Sequence, residues 1–238
     1  MFSEAIPASV ATLLNDIYTW SLPTDTYVAG GTAVAIYLNH RVSVDIDLFT
    51  DEEFYCGPII SSIGQRYATT VTNAAEKNTL IAIVANVRFS LFNYPYPLLK
   101  PLVNKPECNI KLASPEDIAA MKVVAITQRG TAKDFFDLNA LMQTFGMTLD
   151  YLISLVQKKY GVSEDYSYQI KRGLVYFDDA VKSLGDVTVI RNGKEQDWIS
   201  ASGTRLRSFL KDWYYAVNFA EKIKKSLQIS SILFYCRS

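Results

Sequence analysis

The sequence predicts an α/β N-terminal part with a mixed sheet, followed by a mainly helical C-terminal part. Three observations predict it. Between Tyr27 and Leu112, β-branched and aromatic residues cluster in short runs punctuated by Gly, Pro and Asn. From Ser114 onward, apolar residues recur at helical spacing. A Gly-Gly pair at 30–31 joins a short apolar run to a helical one, as in a strand–turn–helix unit.

The elements follow in order. Ala8 to Trp20 places Val10, Leu13, Leu14 and Ile17 on one helical face, and Leu22-Pro23 ends it. Tyr27-Val28-Ala29 reads as a strand, Gly30-Gly31 as a turn, and Thr32 to Leu38 as a helix. Val42 to Thr50 alternates strictly, with Val44, Ile46 and Leu48 on one face and Ser43, Asp45, Asp47 and Phe49 on the other. Further strands are expected near Tyr67–Val71, Leu80–Val84, Val87–Phe92 and Asn109–Leu112. Helices are expected at 115–128, 132–144, 147–159, 163–184 and 203–226. The expected units are an α/β core over 1–113, a helical domain over 114–202 that completes the site, and a basic helical tail over 203–238. There is no internal repeat and no low-complexity segment.

Hydrophobic residues at 49% and charged residues at 20% are those of an ordinary soluble protein of this length, able to bury a core. No apolar run reaches the roughly 18 residues needed to span a bilayer. Met1 to Ala11 lacks a basic segment before an apolar stretch, which argues against a secretory signal. Cys56, Cys108 and Cys236 form no CxxC pair and no even disulfide set, so a reducing cytoplasm is expected. A single histidine, His40, removes His-based metal sites and Ser-His-Asp triads. Net charge is zero, yet residues 203–238 hold 7 basic against 2 acidic side chains. That bias suits a polyanion such as RNA, and equally a solvated helical surface.

The chemistry concentrates in two motifs. Asp45 and Asp47, two apart on a strand, leave the same face about 6–7 Å apart along it. Like charges so placed repel, and a hard divalent cation such as Mg²⁺, which takes carboxylate and phosphate oxygens, would offset that. A bare D-x-D also occurs at solvent-exposed strand edges. Gly30 and Gly31 allow a sharp turn, close approach of a ligand, and a helix N-terminus facing phosphate. Thr32 could cap that helix or bond a phosphate oxygen. A tight turn without a ligand is the plain alternative. Together the motifs complement one another, one for triphosphate and one for the metal that neutralises it.

The run Val28-Ala29-Gly30-Gly31-Thr32-Ala33, followed by His40-Arg41-Val42-Ser43-Val44-Asp45-Ile46-Asp47-Leu48-Phe49, resembles the AbiEii/AbiGii toxin family of nucleotidyltransferases, within the polymerase-β-like superfamily. Its signature is G-[GS] followed some ten residues later by D-x-[DE]. Here 13 residues, 32–44, intervene.

In the helical half, Ser114-Pro115-Glu116-Asp117 is a capping signal, which gives Asp117 a structural role. Lys122 lies on the stripe of Ile118, Met121, Ala125 and Ile126, and Arg129 continues it. Either cation, aimed at a triphosphate, would offset charge on the transferring group. Asp134 and Asp137 sit one turn apart at a helix start, where acids favour the dipole. The segments Ser114–Lys122, Arg129-Gly130-Thr131 and Lys133–Leu138 are similar to the family's later motifs, and the resemblance implies functional roles for Lys122 and Asp134. Leu174–Ala180 also resembles the family and reads as packing. Ser90 stands where many relatives in the superfamily carry a third carboxylate, so either two carboxylates suffice or Asp117 or Asp134 joins them. His40 and Arg41 read as loop packing, with the Arg41 charge serving phosphate as the alternative, and Phe89, Phe92, Tyr94 and Tyr96 read as core and turn ahead of a base-stacking platform.

The resemblance implies transfer of a nucleoside monophosphate from an NTP to an acceptor hydroxyl, with an RNA acceptor such as the tRNA 3′ end. It also implies Mg²⁺ on Asp45 and Asp47, phosphates on Gly30, Gly31, Thr32 and Arg129, and a cognate antitoxin. Transfer to a protein or small molecule, or a degenerate nucleotide-binding module without turnover, are the alternatives.

Overall fold

The computed structural model describes residues 4–74, 77–105, 110–191 and 194–197. The expected tail helix at 203–226, its basic character, Cys108 and Cys236 lie outside the described residues. The N-terminal half contains α1 (Ala8–Asp16), β1 (Tyr27–Val28), α2 (Gly30–Leu38), β2 (Ile46–Thr50), α3 (Cys56–Gly64), β3 (Thr69–Ala74), β4 (Thr79–Val84), β5 (Val87–Asn93), β6 (Val103–Lys105) and β7 (Ile110–Leu112). Then come α4 (Pro115–Gln128), α5 (Ala132–Phe145), α6 (Leu149–Tyr160), α7 (Tyr166–Leu174), α8 (Asp178–Lys182), β8 (Thr188–Arg191) and β9 (Lys194–Asp197). Among the described residues, no helix is long and apolar enough to cross a membrane.

Seven strands form one mixed sheet in the order β3-β4-β5-β2-β1-β7-β6. The β2–β5 and β1–β7 pairs are parallel, and β1–β2, β3–β4, β4–β5 and β6–β7 are antiparallel. One face of the central strands carries Ile46, Leu48, Phe89 and Leu91, all essentially inaccessible. Trp20 seals part of it with an edge-on contact to Phe89, ring centres 5.4 Å apart. The opposite face carries Asp47, Phe49, Ser90 and Phe92, as the alternation of side chains requires.

Helix α4 is the hub of the helical half, packed by α2, α5, α6 and α7. Ser114 caps it by accepting a hydrogen bond from the Asp117 N–H at 3.0 Å, with Pro115 at the first helical position. Such a cap contributes about 1 kcal/mol. Asp117 is itself fully buried, bonded to Leu99 N, Lys100 N, Ser114 Oγ and Lys159 Nζ. Its role is to fasten the chain entering α4, as its capping position implied.

Four expectations need correction. Strand β2 begins at Ile46, not Val42, and Val44 is 51% exposed where alternation placed it inside. The cause is capture of the preceding segment by other partners: Val42 N–H donates to Thr188 O at 2.8 Å, Ile190 N–H to His40 O at 3.0 Å, and Ser43 N–H to Ala5 O at 2.9 Å. The single helix expected at 163–184 is two, α7 and α8. Gly173 lies so close to α4 that a Cβ there would sit 3.0 Å from Thr127 Cα, and beyond it Phe177 turns to pack on Phe135 at 5.2 Å. Helix α2 starts at Gly30, two residues earlier than expected, and α1 ends at Asp16 with a 3-10 turn over Ile17–Thr19.

Candidate active site

The turn between β1 and α2 is shaped by two side chains that press against it. Gly30 has φ +63°, a left-handed conformation costly for any residue with a Cβ. A Cβ there would also lie 3.0 Å from Asp47 Oδ2. At Gly31 a Cβ would lie 2.3 Å from Arg41 Nη2, an impossible contact. The glycine pair therefore admits a carboxylate on one side and a guanidinium on the other. The first N–H groups of α2 have no intrahelical acceptor and carry the positive end of its dipole. They stand beside the strand acids.

Asp45 lies in the link just before β2 and Asp47 within the strand. Thr32 orders this link: its buried hydroxyl bonds Ser43 Oγ at 2.9 Å and donates to the Asp45 carbonyl. Its geometry supports a positioning role, with the hydroxyl already committed, rather than a direct bond to phosphate. Asp47 is paired in register with Ser90 on β5, whose Oγ donates to Asp47 Oδ1 at 2.5 Å. The site where a third carboxylate was sought thus holds a neutral donor that orients the existing one. Among the described residues, neither Asp45 nor Asp47 is in an ion pair.

The helical acids are the reverse. Asp137, fully buried, receives Arg41 Nε at 2.6 Å on Oδ1, Arg41 Nη2 at 2.8 Å and Lys122 Nζ at 2.7 Å on Oδ2, and His40 Nε2 at 2.8 Å. Asp134 receives Lys122 Nζ at 3.0 Å, Arg129 Nε at 3.0 Å and Thr131 Oγ at 2.7 Å. Burial alone would raise the Asp134 carboxyl; the charge of Lys122 and the hydrogen bond from Arg129 outweigh it and hold it at about 2. Asp137 is likewise held well below the usual range against its burial, by Lys122 and Arg41. Burial pulls the Lys122 ammonium down, but the two carboxylates prevail and keep it above its ordinary value. Lys122, on the apolar stripe of Ile118, is buried and faces a polar site rather than reaching out to water. That site includes two acids of its own chain, which take its charge.

These groups meet in one cleft of about 260 Å³, lined by Gly31, Arg41, Asp45, Asp47, Lys122, Arg129 and Asp134 among others. Seven of the eight residues singled out from the sequence line it or abut its wall at Gly30, and the eighth, Thr32, anchors the Asp45 link. Asp117 is not part of it, being tied to Lys159 elsewhere. Sequence reading missed Arg88, Lys133 and Asp186, which also line the cleft. Arg88 had a signal: it lies two residues before Ser90 on the same strand face. It also gave Asp137 only a dipole role, although its spacing puts it beside Asp134 on α5.

The donor set fits a magnesium ion. Two carboxylates in no ion pair among the described residues, one braced by Ser90 and both beside a helix N-terminus, leave oxygen ligands that phosphate and water can complete.

Residues 86–175 match the family described as nucleotidyl transferase AbiEii toxin of type IV toxin–antitoxin systems, a span that contains Arg88, Ser90, Lys122, Arg129, Asp134 and Asp137. An uncharacterized protein of Aquifex aeolicus (strain VF5) is 40% identical over 168 residues, 70% of this chain and 81% of its own length. The nucleotidyltransferase toxin MenT4 of Mycobacterium tuberculosis H37Rv superposes with a TM-score of 0.47 at 14% identity, over 92% of each chain. A protein of H. pylori whose crystal structure was interpreted as a nucleotidyltransferase gives 0.46 at 14% identity, over 91% of this chain and 93% of its own. The chain belongs to the AbiEii family of nucleotidyltransferase toxins.

Proposed function

We propose that the protein transfers a nucleoside monophosphate from an NTP to an acceptor hydroxyl, with magnesium held by Asp45 and Asp47. One observation carries this reading. In a cleft where Asp134 is neutralised by Lys122 and Arg129, Asp45 and Asp47 are in no ion pair among the described residues, and they stand beside the start of α2. In the reaction the acceptor oxygen bonds to the α-phosphorus, the bond to pyrophosphate breaks, and the hydroxyl proton is released. Bound there, Mg²⁺ supplies neutralisation of phosphate charge and a template for the attacking and leaving oxygens.

The chain's own groups do the rest. The open amides of α2 at Gly30 and Gly31 hold phosphate oxygens. Arg129, its side chain 65% exposed, reaches the cleft while still bonded to Asp134. That leaves its outer donors for phosphate as charge develops on the leaving group. Lys122, tied to Asp134 and Asp137, fixes the position of Arg129 through the shared carboxylate and so acts as a positioning residue. Arg88 and Lys133 add positive charge to the walls.

Within this reading the acceptor is an RNA, the tRNA 3′ end being the natural candidate for a toxin of this family, and a cognate antitoxin protein restrains the activity. Incubation with each labelled NTP and separate pools of RNA, protein and metabolites tests it. Magnesium-dependent pyrophosphate release with label in RNA is expected, and Asp45→Asn and Asp47→Asn should each lower release by at least about 100-fold, the scale of losing a main electrostatic contributor. Label entering protein or metabolites alone defeats the RNA acceptor. Release undiminished in both variants defeats the site.

A further inference from the structure

The sheet face that carries Asp47 continues into an aromatic wall. Phe49, the next residue on that face, packs on Tyr27 at 6.0 Å, Phe92 at 5.9 Å and Tyr94 at 5.3 Å. Tyr96 lies 4.8 Å from both Tyr94 and Tyr160, and the hydroxyls of Tyr94 and Tyr160 are hydrogen-bonded. Burial holds the Tyr94 phenol up at about 12, so this pair stays neutral. Facing these rings, Met121, Val124 and Gln128 present one stripe of α4. Between them lies a cavity of about 450 Å³, a size that suits a small organic ligand.

Two features say what enters it. Arg129 lines both this cavity and the catalytic cleft, so the two spaces share a wall. The cavity's own lining is aromatic and aliphatic, with Gln128 as its exposed amide, able to donate and accept. Flat π-faces, one amide and a guanidinium toward the phosphates match a nucleobase, which has two stacking faces and a hydrogen-bonding edge. We propose that this cavity holds the nucleobase of the donor NTP, with Tyr96 stacking on it and Gln128 facing its edge. The inference rests on the nucleotidyl-transfer reading above. It takes up the base-stacking alternative for Tyr96, which is 41% exposed at the cavity wall.

The test uses the full chain in calorimetric titrations with magnesium. The probes are the α,β-methylene analogues of the four NTPs, and inorganic tripolyphosphate, which has no base. Wild-type protein should bind one analogue more tightly than tripolyphosphate. Tyr96→Ala and the cavity-filling Met121→Trp should weaken that analogue by about tenfold or more while leaving tripolyphosphate unchanged, the loss expected for one stacked base. Gln128→Leu should narrow the preference among the four analogues. Circular dichroism identifies variants that fail to fold, and exposed Tyr96 is the substitution least able to unfold the protein. Analogue affinity unchanged in folded Tyr96→Ala and Gln128→Leu proteins overturns the proposal. So does a loss confined to acceptor affinity, which would make the cavity the acceptor's. Wild-type protein that binds analogue and tripolyphosphate equally overturns the base pocket alone. Protein that binds neither overturns the nucleotidyl-transfer reading as well.

Discussion

Two pairs of aspartates flank one cleft, and their surroundings are opposite. Asp134 and Asp137 on α5 are buried and saturated by Lys122, Arg41, Arg129 and His40. Asp45 and Asp47 on the sheet side have hydrogen-bonded support but no ion pair among the described residues. The difference teaches how to read acidic pairs. Where the fold itself provides the countercharge, the carboxylates organise structure. Where it forms no ion pair with them, the carboxylates keep oxygen lone pairs open to a ligand. The second pair is stable in an unliganded protein because it reaches solvent in the cleft, where Coulomb repulsion is weak.

The comparison breaks first at Asp137. Asp137→Asn should destabilise the protein by about 3–5 kcal/mol, since it leaves buried Arg41 and Lys122 without their charge partner. In a thermal melt this reads as a fall of roughly 2–4 °C per kcal/mol. Asp45→Asn and Asp47→Asn, by contrast, should melt within about 0.5 kcal/mol of the parent without metal, as expected for substitutions that break no buried pair. Equal losses in the two pairs would erase the distinction.

Acid sharpens it next. The Asp134 carboxyl is lower in the folded chain than in the unfolded one, so its contribution is complete above about pH 4 and vanishes as pH falls through about 2. Asp137 shifts in the same direction. Urea denaturation between pH 5 and 2 should show roughly 2 kcal/mol or more of stability lost over that window. In Asp134→Asn the slope should flatten.

Gly31→Ala probes the join between the pairs. Its methyl would meet the Arg41 guanidinium, which Asp137 holds in a bidentate grip. A loss of about 1–3 kcal/mol is expected, the range for overpacking a filled site. An unchanged melting curve would mean that Arg41 moves freely.

Much of this was legible in the chain because the signals were local. Ser-Pro-Glu-Asp at 114–117 gave α4 to the residue, and Gly-Gly plus D-x-D marked both walls of the cleft. What escaped depended on distant partners. Periodicity extended β2 back to Val42 because alternation cannot see that residues 40–43 are bonded to β8 and to Ala5. The β8–β9 ribbon was missed, although Asn192-Gly193 between Thr188–Arg191 and Lys194–Asp197 is a hairpin signal in the sequence. Asp137 was underestimated since a first-turn acid and the centre of a four-donor network look alike until the chain folds. Lys122 and Asp134 both line the cleft, but their pairing with each other belongs to three dimensions.

That ribbon has a bearing on when the cleft takes shape. Arg41 is bridged to Val189, so the loop that braces the start of α2 waits on residues almost 150 positions further along the chain. Contacts of such long sequence separation form late, after the closure entropy of the intervening chain has been met. A polypeptide still on the ribosome and shorter than β8 has both acids and both glycines, yet lacks the clasp that sets them against one another. The two walls of the cleft are thereby clasped only once β8 has been made.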